Sequence, residues 1–280
     1  MKHFLYKVGI LLIFYRLCVL NVLDAQAVEM LFHNQNNKIQ MQMHSEPIIS
    51  GSVAALGQFP WHVILRRNEN DALLCGGSII SNNWVLTAGH CLYNISSVFL
   101  MFGTIDLFKY DIKMTSSKFY TYPDFDVKNF IHDISLIELP TPLNFTKNIQ
   151  PIKLVSSAEA SNKFVGVECI IMGFGKTDDA ANDTAKVLQW GTVEIIDNTI
   201  CAKAYGDERM EDTIMCGVGY NNSKMTTCDG DSGGSLVWNN IQIDITSFTV
   251  KNMCSKYPPG FTRVTSYLNY IQNITGINFS

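Results

Sequence analysis

Charge is scarce in this chain. Only 16% of its residues are Asp, Glu, Lys or Arg, the net charge is −4, and the basic residues form no run. That absence removes the electrostatic footprint that nucleic-acid binding requires. With 47% hydrophobic residues, it also excludes an intrinsically disordered chain. No His/Cys cluster has zinc-ligand spacing and no carboxylate-rich calcium loop is evident, so neither a metal nor another cofactor is expected. Internal repeats are absent too. The apolar run Val8–Tyr15 is interrupted by Arg16. It is too short to cross a bilayer, and no membrane contact is expected.

That short run reads instead as a secretory signal. Lys2 and Lys7 supply the basic start, and Ala25-Gln26-Ala27 supplies a small-x-small cleavage site. Residues 1–27 are expected to be a signal peptide, which makes the product secreted and extracellular. Residues 28–47 are rich in Asn, Gln and Met and hold no cysteine, so they read as a propeptide that leaves once cut. Residues 48–280 remain as one domain. Eight cysteines less Cys18 in the signal leave seven, so in a disulfide-permissive compartment one thiol stays over. Sequons at Asn94, Asn144, Asn182, Asn221, Asn273 and Asn278 are candidate glycan sites.

Within 48–280, short β-branched and aromatic runs recur between turn signals: Trp61–Leu65, Ser78–Ile80, Trp84–Thr87, Ser97–Met101, Asp133–Leu139, Glu168–Met172, Val187–Ile195, Ser235–Trp238 and Ile241–Phe248. Such spacing predicts an all-β sandwich or barrel pair. Helical spacing of Tyr267, Leu268, Ile271 and Ile274 predicts a C-terminal helix over 265–274. A shorter helix is expected near 198–204.

The chemistry concentrates in Cys228-Asp229-Gly230-Asp231-Ser232-Gly233-Gly234. Glycines let the backbone turn tightly and bring N–H groups beside the Ser232 hydroxyl, which suits an oxyanion hole. A serine hydroxyl needs a base, and His90 in Thr87-Ala88-Gly89-His90-Cys91 can supply it. Asp133, in Asp133-Ile134-Ser135-Leu136, can orient that base. The chain order His, Asp, Ser is one in which a triad is known to assemble.

These three motifs make the chain resemble the chymotrypsin-fold serine proteases of the trypsin-like superfamily, from Ile48 to about Asn273. Ala55–Trp61, Ile245–Phe248 and Ser255–Leu268 look most like arthropod chymotrypsins and brachyurin-type serine collagenases. The resemblance implies two six-stranded antiparallel β-barrels with the active site in the cleft between them, plus the C-terminal helix. It implies His90, Asp133 and Ser232 as the triad, and Gly230 and Ser232 as the oxyanion-hole donors. Ser247 would hydrogen-bond the aspartate. Disulfides would join Cys75–Cys91, Cys201–Cys216 and Cys228–Cys254. Cys169 would be a free buried thiol, because Trp238 stands where relatives place its partner.

The resemblance also implies activation by a cut that frees Ile48, whose amine then pairs with Asp231. Relatives carry Arg or Lys before this isoleucine; here Pro47 stands there. Three routes remain open. A non-tryptic cut near His44 followed by removal of Glu46-Pro47, a direct proline-specific cut, or no activation at all. For specificity, Thr226 falls at the pocket floor, with walls from Thr227, Phe248, Thr249 and Gly260. A neutral floor predicts no preference for basic residues and favours a chymotrypsin- or elastase-like choice of apolar residues at P1. Asp229 at the rim would favour a basic residue beside the cut. The expected function is a secreted serine endopeptidase, acting as a monomer on protein or peptide substrates and open to protein protease inhibitors. The alternative is a silent homologue that acts by binding a partner.

Overall fold

The computed structural model describes residues 48–206 and 209–279. The expected signal peptide and propeptide lie outside the described residues. Two β-sheets divide the chain. In the first half, β2 (His62–Arg66), β3 (Leu73–Ile79), β4 (Trp84–Thr87), β5 (Val98–Phe102), β6 (Ile112–Ser116), β7 (Phe119–Thr121) and β8 (Ser135–Glu138) run in the order β6-β5-β2-β3-β4-β8-β7. In the second half, β10 (Glu168–Gly173), β11 (Gln189–Ile196), β12 (Ile214–Gly219), β13 (Ser235–Trp238), β14 (Ile241–Phe248) and β15 (Gly260–Arg263) run in the order β11-β10-β13-β14-β15-β12, and β11 meets β12. That last pairing closes a six-stranded barrel. The short strands β1 (Ser52–Val53) and β9 (Lys153–Leu154) attach to β11 and β14.

The expected barrel pair is therefore present, with a difference in closure. The first sheet curls without a ladder between its edge strands. Its seam is made by a side chain: Ser116 Oγ on β6 donates to Glu138 O on β8 at 2.7 Å.

Burial patterns explain the strands. In β11, Gln189, Gly191, Val193 and Ile195 point inward while Trp190, Thr192, Glu194 and Ile196 are only half-buried, the period-2 alternation of a strand with one covered face. β2 and β5 are buried throughout. Val63, Leu65, Val98, Leu100 and Phe102 fill the main core, while Ile64, Phe99 and Met101 pack with Met172, Phe174, Leu188 and Val237 from the second half. A strand used on both faces shows a continuous apolar run rather than alternation. Polar links cross the same interface: Ser78 Oγ to Gln242 Oε1 at 2.7 Å, and Trp61 Nε1 to Ser235 Oγ at 3.0 Å.

Helix α1 (Asn198–Tyr205) starts at Asp197, whose side chain accepts from Thr199 N at 2.9 Å, an N-cap that satisfies an otherwise orphan donor. The C-terminal element departs from one continuous helix. A 3-10 turn at Val264–Tyr267 precedes α2 (Leu268–Thr275), because Tyr267 adopts φ −123° and ψ 9°. Its hydroxyl is tied to His132 Nδ1 at 2.9 Å, and its ring packs on Tyr122. No helix among the described residues is long and apolar enough to cross a membrane.

Among the described residues three disulfides staple the fold, Cys75–Cys91, Cys201–Cys216 and Cys228–Cys254. Cys169 is a free thiol inside the second barrel, and burial pushes its pKa up to about 12. Trp238 packs edge-on against Phe164 at 5.4 Å.

Buried His62 has an energetic consequence. Neither ring nitrogen has a hydrogen-bond partner, and burial lowers its pKa from 6.5 to about 4. The unfolded chain therefore takes up a proton that the folded chain refuses as pH falls through this window. Relative to His62→Gln, the native protein should lose roughly 3 kcal/mol of stability between pH 6.5 and 4. Urea unfolding of both proteins across that range measures it, and parallel curves would contradict it.

Candidate active site

The first half contributes His90 and Asp133. His90 lies in the 3-10 turn Gly89–Leu92 that follows β4, pinned by the Cys75–Cys91 disulfide. Asp133 lies two residues before β8 begins at Ser135 and is fully buried. Its carboxylate is saturated with donors. Oδ2 lies 2.7 Å from His90 Nδ1 and accepts from Ser247 Oγ at 2.6 Å, while Oδ1 accepts from His90 N at 2.8 Å. Its backbone carbonyl accepts from Thr262 Oγ1 at 3.0 Å. Ser247 and Thr262 belong to β14 and β15, so the second barrel orients an acid carried by the first.

The second half contributes Ser232. Its carbonyl accepts from Gly76 N on β3 at 2.7 Å, a backbone bridge that holds the serine loop against the first barrel. Around it, Gly233 N donates to Thr246 O at 2.8 Å and Gly234 N to Asp231 O at 3.1 Å. Gly230 takes φ +105°, which a side chain would strain. The N–H groups of Gly230 and Ser232 have no hydrogen-bond partner among the described residues, so both remain able to bind an incoming oxygen.

A cavity of about 220 Å³ brings His90 and Ser232 together, with Asp133 and Gly230 outside its lining. His90, Ser232, Thr227, Asp229, Ser247, Phe248 and Thr249 line it, together with Phe130, Cys228, Thr246 and Lys251. Thr226 and Gly260 lie outside that lining. Thr226 is buried, bridges Ile49, and turns its hydroxyl toward Thr227 O at 3.3 Å. Gly260 sits under Phe248, where a Cβ would collide with the ring. A larger cleft of about 510 Å³ runs between residues 160–165 and α1. It includes none of His90, Asp133 or Ser232, so its size does not make it the reactive site.

Several residues of the site carry no sequence signal that marks them. Phe130 lies 5.3 Å from the His90 ring and 6.2 Å from Phe248, with φ +58°. Positive φ in a bulky residue is a strained conformation of the kind stored at functional sites. Lys176 reaches Asp229 at 3.4 Å from a loop far away in sequence. Nothing local to these residues predicts either placement.

Asp231 is fully buried, and its oxygens accept from Gly175 N at 2.7 Å and Cys228 N at 2.9 Å. Gly173 and Gly175 make its cradle, since a Cβ at either would collide with the carboxylate. Burial, with no cation beside it among the described residues, raises its pKa to about 7. Ile48 is also fully buried, and Ile49 bridges Thr226 and packs on the Cys228–Cys254 disulfide.

Comparison with known proteins places this arrangement. A family model described as Trypsin matches residues 48–271. The chain is 35% identical over 237 residues to a collagenase of Hypoderma lineatum, covering 83% of this chain and 88% of that protein. It is 31% identical over 230 residues to Trypsin Blo t 3 of Blomia tropicalis, covering 80% and 85%. A solved structure described as HL collagenase superimposes with a TM-score of 0.74 at 33% identity, covering 82% of this chain and all of that one.

Proposed function

Because the chain belongs to the trypsin family of serine proteases, we propose that it is a secreted endopeptidase in which His90, Asp133 and Ser232 do the chemistry. The single observation that carries this reading is the Asp133 carboxylate, buried and held by His90 Nδ1, His90 N and Ser247 Oγ. An aspartate so placed keeps the proton on Nδ1 and leaves Nε2, whose recorded neighbour is Cys91 Sγ at 3.7 Å, unprotonated as a base.

In the proposed reaction, His90 Nε2 takes the Ser232 hydroxyl proton as Oγ attacks the scissile carbonyl. The carbonyl oxygen becomes an oxyanion and accepts hydrogen bonds from Gly230 N and Ser232 N. Collapse of that intermediate expels the amine, which leaves with the proton from His90, and the acyl group stays on Ser232. Water then repeats the cycle, with His90 again as base, and frees the acid. Throughout, Asp133 stabilises the imidazolium without accepting its proton.

The P1 side chain is apolar in this reading. Asp229, the carboxylate that lines the cavity, is already paired with Lys176. An Arg or Lys there would be buried without a counter-charge, which is costly. Activation would free Ile48 and supply the cation that buried Asp231 lacks. A serine-directed phosphonate tests the core claim. Protein that begins at Ile48 should be labelled at Ser232 alone, and His90→Ala should abolish labelling. Unlabelled protein with an intact fold would defeat the reading.

A further inference from the structure

The charges at the mouth of the cavity are not balanced. Besides His90, the ionisable side chains lining it are Asp229 and Lys251. Asp229 is cancelled by Lys176, whose Nζ also donates to Asn252 Oδ1 at 3.0 Å, and whose backbone N donates to Asp229 O at 2.9 Å. With its side chain only 14% exposed, Lys176 is held on this carboxylate rather than sampling solvent. Lys251 is exposed and makes no ion pair among the described residues. Beyond Phe248, the Arg209 guanidinium lies 5.6 Å from the ring centroid, also without an ion-pair partner among the described residues. Among the described residues these two cations meet no carboxylate, while Asp229, the anion that lines the cleft, is held by Lys176.

We infer that this cleft selects substrates carrying Asp or Glu beside the scissile bond, with Lys251 and Arg209 as the attracting cations and Lys176 as a specificity determinant that silences Asp229. The inference rests on the peptidase reading above and narrows its substrate class to acidic peptide segments around an apolar P1 residue. Selection works in both directions, since Lys or Arg at those places meets like charge. Each cation acts near solvent, so each contributes about fivefold or less and is screened by salt.

The test uses protein cut to begin at Ile48 and matched peptides that share one apolar P1 residue and differ only in Glu, Gln or Lys at the positions flanking it. At low salt, kcat/KM should fall in the order Glu, Gln, Lys, with Glu over Lys by about tenfold, and approach parity near 1 M salt. Lys251→Gln with Arg209→Gln should erase the order. Lys176→Gln should raise turnover of the Lys peptide by unmasking Asp229, while Lys176→Arg keeps the native order. Equal turnover of Glu and Lys peptides at low salt, with Ser232 still labelled by phosphonate, overturns the inference alone. Loss of labelling overturns the peptidase reading beneath it.

Discussion

Ser232→Ala is expected to lower kcat by about a millionfold while leaving peptide binding nearly intact, because triad members act as a unit and removal of the nucleophile removes the acyl-enzyme route. Asp133→Asn should cost less, about ten-thousandfold. An amide at position 133 offers an N–H as well as an oxygen to His90 Nδ1, Ser247 Oγ and His90 N, all of which now meet acceptor oxygens. The ring would be held in the wrong tautomer, with its proton on Nε2, where a base is needed. Ser247→Ala should fall between native and Asp133→Asn, since one of three donors to the carboxylate is lost. Single-turnover measurement with an ester substrate separates acylation from binding. A Ser232→Ala protein that retains more than a thousandth of native turnover would place the nucleophile elsewhere.

The second large effect concerns the start of the domain. Pro47→Arg in the full chain, followed by treatment with immobilised trypsin, is expected to yield protein beginning at Ile48 and to raise peptidase activity by at least a hundredfold. A misformed oxyanion hole costs about that much per donor. The physical argument lies at Asp231. In the uncut chain its carboxyl is buried with two backbone donors and, among the described residues, no cation, and its pKa stands near 7. A new ammonium at Ile48 pairs with it and holds it ionised. Raising pH from about 4 to 7 draws a proton from Asp231 in the unfolded chain before the folded one, so the Asp231 contribution to the stability of the uncut protein falls over that window. From the shift, the loss is roughly 4 kcal/mol. The cut protein should lose far less. Asp231→Asn should remove the pH difference between uncut and cut forms and leave the cut form nearly inactive. N-terminal sequencing beside the activity assay makes the result decisive. A correctly cut, folded Pro47→Arg protein without added activity would refute the activation argument.

Much of this was legible in the chain because the signals are local. The proposed triad residues His90, Asp133 and Ser232 each sit in a short motif, and β14 matches its apolar run at Ile241–Phe248. The short helix near 198–204 is readable because Asp197 caps it. What escaped is set by contacts distant in sequence. β7 lacks a clear pattern because Phe119, Tyr120 and Thr121 are all half-buried, whereas β6 alternates half-buried Ile112 and Met114 with exposed Lys113 and Thr115 before the seam at Ser116. The break between the 3-10 turn and α2 follows from Tyr267 reaching His132, which no periodicity reports. Gly260 reads as a pocket wall, yet it lies beneath Phe248. Asp229 reads as a magnet for basic residues, and what the sequence does not report is that Lys176, 53 positions earlier, already pairs with it. A carboxylate's meaning depends on its partner, and the partner is a tertiary fact.

Cys169 offers one more consequence. Its sulfur lies in the core of the second barrel, 3.9 Å from Val167 O, and stays protonated because burial holds the thiol near pKa 12. A thiol-specific reagent can therefore reach it only through opening of the barrel, while the six other described cysteines are already spent in disulfides. The leftover cysteine is a built-in stopwatch: its labelling rate under native conditions reads how often the second barrel comes apart, without any engineered probe.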